Sequence, residues 1–255
     1  MSKTNLSIFS RGDIVLADIS LILKDLTRKQ GMLRKSIKDN CELPGVYLKS
    51  KLSNKEKADA LRELIGYDIS EIVGKNKEKS FDYMRGLLEQ KNIFVSLYMH
   101  NFSPQIIDKK LHFSGICIKD NKCPFIFIRA GDEDSSVEPW GRRLFTLALM
   151  LSCMTNGKFG AVTLDSRSRD LITDSQYQIA EEFLMPSEQF EFSKIHTLKD
   201  VKELATNYSV SPSAMTMRLF RLKIIEEYDK DTYLTILTEE FNEMISKKGG
   251  GRMPR

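Results

Sequence analysis

At 255 residues, with 41% hydrophobic and 29% charged residues, the chain is long enough for one large or two small globular domains. No run of roughly eighteen consecutive apolar residues is present, which excludes a transmembrane helix, and Met1–Gly12 lacks the apolar run and cleavage site of a signal peptide. The net charge of +4 is unevenly spread: residues 1–60 carry 12 Lys/Arg against 7 Asp/Glu, while residues 131–190 carry 5 against 10. Either the basic part meets nucleic acid or an acidic protein surface, or the two parts complement each other across a domain contact. The four cysteines (Cys41, Cys117, Cys123 and Cys153) have no Cys-x-x-Cys spacing, which predicts a reduced, cytoplasmic protein without a zinc ribbon or redox motif.

In chain order, residues 13–38 place Val15, Ile19, Ile22, Leu26, Leu33 and Ile37 on one helix face. Their basic neighbours Arg28, Lys29, Arg34 and Lys35 are candidate contacts to phosphates or to a partner, or a solvated face. No aromatics are interleaved for stacking on single-stranded bases. Pro44-Gly45 marks a break, and Ser53 with Glu56 forms a capping-box pattern for a helix running to a stop at Gly66. After punctuation at 74–79, Phe81–Gln90 is a third amphipathic helix.

The pattern then turns strand-like over 93–98, 112–118 and 124–128, with Asp120-Asn121-Lys122 as a hairpin turn. This predicts a small sheet with helices on one side. The acidic loop 131–134 lacks the alternating oxygen ligands and closing glutamate of an EF-hand. Leu144–Met154 is almost wholly apolar, without proline or glycine, and reads as a buried helix of about three turns.

Residues 198–222 read as helix, short turn, helix, with Ser211 as N-cap of the second. In a DNA-binding version Ser213, Thr216, Met217, Arg218 and Arg221 are the candidate contacts, although two arginines are few for duplex DNA. The glycine-rich and charged tail at 247–255 is expected to be flexible.

The three histidines, His100, His112 and His196, form no His-x-x-x-His pair. Nor does the chain contain a Gly-x-Ser-x-Gly elbow or a phosphate-binding glycine loop.

Phe145-Thr146-Leu147-Ala148, followed by an apolar turn, resembles the active-site helix of the ImmA/IrrE family of zinc metallopeptidases. There the same four residues run into His-Glu-x-x-His, whose histidines hold zinc while the glutamate activates the bound water. The matching positions here are Leu149, Met150 and Cys153, of which Cys153 alone has affinity for a metal. Ala180–Pro186 resembles the family's second signature, a helix ending in Leu-Leu-Met-Pro. Its register puts the acidic third ligand at Thr173, with Asp174 adjacent. The strand-like runs at 93–95 and 124–128 resemble the strands before the motif helix, so the resemblance covers roughly residues 80–225. The family's usual N-terminal helix-turn-helix signature is missing, and the 198–222 segment resembles its helical pair packed on the peptidase core.

The resemblance implies an α+β fold, a small zincin-like sheet packed on helices. A helical region (1–77), a degenerate peptidase-like domain (78–190), a C-terminal helix-turn-helix-like region (191–246) and the tail (247–255) would follow in order. It implies a pseudo-metallopeptidase with no catalytic group, no metal and no cofactor. Such a protein would be a regulator in a bacterial or mobile-element setting, binding a protein partner such as a helix-turn-helix repressor. The alternatives are a DNA-binding regulator using 198–222 and the basic N-terminal region, and a zinc peptidase with ligands relocated to Cys153, Asp174 and a histidine. The former cleft at Leu149, Met150 and Cys153 would be either open to a peptide or filled by core; leucine and methionine favour filling.

Overall fold

The computed structural model describes residues 16–41, 51–97, 114–129, 139–157, 161–162, 175–190 and 195–249. Among these, helix α1 (Leu16–Leu33) precedes α2 (Asn54–Ile65) and α3 (Lys77–Gln90). Strands β1 (Phe94–Leu97), β2 (Gly115–Ile118) and β3 (Phe125–Ile128) lead to α4 (Trp140–Thr155). A two-residue β4 (Ala161–Val162), α5 (Ser175–Leu184), α6 (Leu198–Asn207), α7 (Pro212–Arg221) and α8 (Glu227–Gly249) complete the order. The class is α+β, as the sequence pattern implies.

Local chemistry accounts for the boundaries that were legible. Glu56 N–H donates to Ser53 Oγ at 3.2 Å, and Ser53 N–H donates to Glu56 Oε2 at 2.8 Å, so both halves of the capping box form. Gly66 ends α2 at φ 71°, a left-handed conformation that a side chain would strain. Between β2 and β3, Asp120 Oδ1 accepts from Lys122 N–H at 2.7 Å and Cys123 N–H at 3.1 Å, closing the hairpin.

The strand order is β1-β3-β2-β4, with β1 parallel to β3 and both β2 pairings antiparallel. Every residue of β2 and β3 is buried. Alternate side chains divide between two cores, as the pleat requires. Ile116, Ile118, Phe125 and Phe127 pack with Ile22 and Leu26 of α1. Cys117, Ile126 and Ile128 join the main core with α3, α4 and α5. Helices therefore cover both faces, and the expectation of helices on one side is corrected. The continuous apolar runs Gly-Ile-Cys-Ile and Phe-Ile-Phe-Ile have no polar face to give to water, so a second layer must cover them.

The main core is built around α4, which packs against α3, α5 and the sheet. Helix α2 lies on α5, and α6, α7 and α8 pack in succession. No helix of the described residues is long and apolar enough to cross a membrane.

Candidate functional site

The helix that carries the resemblance is core throughout. Gly141 and every residue from Arg143 to Thr155 are buried. Leu149 and Met150 are fully enclosed, and Cys153 is nearly so, all three within the main apolar cluster. These three positions are thus enclosed by apolar side chains of the main core. Leu149 offers no atom that binds zinc, and the Met150 thioether takes no proton at neutral pH. Thr173 and Asp174, with His100 and His112, lie outside the described residues. His196 is exposed, and its backbone N–H donates to Asp200 Oδ2 at 3.0 Å. Among the described residues no group of three or more His, Cys, Asp and Glu side chains is placed to hold a metal ion.

Residues 180–184 form the second half of α5, and the two acids there have a role the spacing did not reveal. Glu181 and Glu182 are both buried, facing α7, where Glu181 pairs with Arg221 and Glu182 with Arg218. Ser187 donates to Glu182 Oε1 through both N–H and Oγ, each at 2.9 Å. Arg218 Nε also donates to the Met185 carbonyl at 2.9 Å. From α2, Arg62 Nη1 donates to the carbonyls of Glu182 (2.6 Å) and Phe183 (3.0 Å).

The end of a helix leaves carbonyls without intrahelical donors, and cations are favourable there. Arg62 and Arg218 supply those donors before Pro186 stops the chain. Burial draws the Arg221 guanidinium down to about 10, which still leaves it charged at neutral pH. The cluster is a structural clamp: Arg218 hydrogen-bonds Glu182, while Arg221 meets Glu181 as an ion pair that leaves Glu181 Oε2 and Arg221 Nε without a hydrogen bond among the described residues.

This clamp decides how α7 is presented. Ser213 is exposed and Met217 half-buried, but Thr216 is buried and its Oγ1 donates to the Pro212 carbonyl at 2.9 Å. Arg218 is buried against Glu182, and Arg221 is largely covered by its pairing with Glu181. Thr216, Arg218 and Arg221 are therefore corrected from groove-facing contacts to packing residues, because α5 supplies carboxylates that hold the arginines inward.

The turn between α6 and α7 is equally engaged. Lys77 Nζ donates to the Val210 carbonyl at 2.8 Å, and the Ser80 and Ser209 hydroxyls are 2.7 Å apart. Gly74 N–H donates to the Asn207 carbonyl at 3.1 Å. A Cβ on Gly141 would lie 2.6 Å from Val210 C, so α4 approaches the turn as only glycine permits.

The basic residues of the N-terminal region divide. Arg28 and Lys29 pair with Asp25 at 3.0 and 2.8 Å, and Lys29 also reaches Ser96 Oγ at 3.3 Å. Arg34 pairs with Asp120 in the hairpin turn at 3.2 Å. Lys35 stands exposed. Part of the positive charge is thus complemented within the chain, inside α1 by Asp25 and towards the sheet by Asp120.

A surface groove with a volume of about 780 Å³ runs beside the C-terminus of α2, lined by Arg62, Tyr67, Asp68, Ile69, Val73 and Gln189 among others. Beneath its rim the Tyr67 ring packs on Phe183 with centroids 4.7 Å apart, and its buried hydroxyl has no hydrogen-bond partner among the described residues. Burial pushes that phenol above its ordinary range, so it stays a neutral donor.

Comparison with family models, with curated proteins and with solved structures gives no match for this chain.

Proposed function

We propose that this protein is a non-catalytic regulator built on a metallopeptidase-like frame, acting by holding a protein partner such as a helix-turn-helix repressor without cleaving it. The observation that carries the reading is the enclosure of Leu149, Met150 and Cys153 in the apolar core, at the positions where the resemblance to ImmA/IrrE proteins puts ligands and base. Two apolar side chains there leave no buried polar group unpaired, so the helix is stabilised as core at the expense of chemistry. Partner contact would then fall on the surface, where the groove at Tyr67 and Val73 offers a concave face with apolar and polar groups interleaved.

The test combines zinc content with cleavage. Purified protein incubated with excess zinc and desalted is expected to retain far less than one equivalent by elemental analysis. It is also expected to leave purified helix-turn-helix repressors intact while co-eluting with its cognate one. Near-stoichiometric zinc, or repressor cleavage lost in Cys153→Ala, would overturn the reading in favour of relocated ligands.

A further inference from the structure

Four of the exposed large hydrophobic residues among those described fall on just two helix faces, and the two faces carry opposite charge. On α1, Leu21 and Met32 are 51% and 62% exposed. They stand with Lys24, Arg28 and Lys35 at spacings of three and four, all exposed, on the side opposite the buried Ile22 and Leu26. On α8, Tyr228 is 79% exposed and Ile236 is also open, and Glu239 and Glu243 continue the same outward face at the same spacings. The surrounding sequence amplifies the contrast. Residues 24–38 carry six Lys/Arg and one Asp, while residues 226–243 carry seven Asp/Glu and one Lys.

From this we infer that the protein associates with itself, the α1 face of one copy seating on the α8 face of another. The apolar pairs match in scale. Leu21 and Met32 are about 16 Å apart along α1, and Tyr228 and Ile236 about 12 Å apart along α8 at the usual helical rise. Each exposed apolar pair would be covered while its cations and anions meet at the rim, where charge sets register and partner choice. Among the described residues Lys24 and Lys35 are exposed and make no ion pair. A two-fold arrangement makes this contact twice, α1 on the partner's α8 and the reverse. The association is independent of the α4 reading.

A charge swap tests it. Lys24→Glu with Lys35→Glu lowers the balance of residues 24–38 from +5 to +1, and Glu239→Lys with Glu243→Lys brings that of residues 226–243 from −6 to −2, so each removes most of the attraction at the exposed face it changes. All four positions are exposed, so folding is preserved, which circular dichroism checks. Analytical ultracentrifugation of the wild-type chain at micromolar concentration and low salt is expected to show a dimer that weakens as salt rises. Each double variant alone is expected to raise the dissociation constant at least about tenfold, and their equimolar mixture to regain the dimer. A monomeric wild type overturns the proposal, as does a dimer that neither variant weakens or a mixture that stays monomeric. So does a Lys24→Glu, Lys35→Glu protein that loses retention on duplex DNA with its oligomeric state unchanged, which would assign the α1 face to nucleic acid.

Discussion

Arg218 shows how much one side chain can do when its partners come from elsewhere in the chain. It neutralises a buried carboxylate on α5 and supplies a donor to the Met185 carbonyl just past that helix's end. Removing one member of a buried pair leaves the other charged and dry, which costs roughly 3–5 kcal/mol, well above the loss of an exposed pair. Arg218→Met is therefore expected to lower unfolding free energy by about 3 kcal/mol or more in urea titration, with Lys199→Met, whose Glu203 pairing is exposed, changing it by less than about 1 kcal/mol. Combining Arg218→Met with Glu182→Leu should recover part of that loss, because no uncompensated charge remains. Equal losses in the two single variants would mean that the pair is solvated rather than buried.

At the scale of elements, the α6–α7 turn is held by contacts rather than by its own sequence. Val210 takes a lysine donor from the start of α3 and meets the bare Cα of Gly141 at the start of α4. Gly141→Ala is expected to cost about 1–3 kcal/mol in thermal or chemical unfolding, despite alanine's better helix propensity, because the backbone of the turn must move. A stabilised Gly141→Ala protein would show that the turn yields freely.

The elements themselves were readable where signals are local. The Ser53–Glu56 box, Gly66, the Asp120 turn and the Ser211 cap each act within a few residues, and each forms where the spacing puts it. What escaped is non-local. The apolar face of α1 was evident, but not that it would seat on β2 and β3 from the far side. Arg62, Glu181 and Glu182 carry no periodic signal that pairs them with α5 or α7. The burial of Leu149 and Met150 could be read from the almost wholly apolar run Leu144–Leu151 in which they lie.

Over the whole molecule, the positions of the ionised carboxylates set how the fold responds to acid. Asp25 is held low because hydrogen bonds from Lys29 and Arg28, with their charges, outweigh the opposing effect of its burial. Hydrogen bonds from Ser53 hold Glu56 low at the α2 cap, and those from Ser70 do the same for Asp68. Lys55 lowers Glu188 across the contact between α2 and the segment after α5. At the α6 cap, Asp200 is lowered by the backbone N–H of His196 and then by Thr197.

A carboxyl group depressed in the folded state binds protons more weakly than in the unfolded chain. Its contribution is therefore complete above the ordinary values of 3.8 for Asp and 4.5 for Glu. It is lost as pH falls through the lower folded values. Because these five groups sit at α1, at both helix caps, beside the α2 terminus and in a cross-helix pair, protonation loosens several elements together. Unfolding free energy from urea titration is expected to be flat from pH 7 to about 5 and to fall steeply below about 4. The fall should be shallower in a Glu56→Gln, Asp200→Asn double variant, whose neutral caps do not titrate. An unchanged acid slope in that variant would place the proton-sensitive stability elsewhere than the caps.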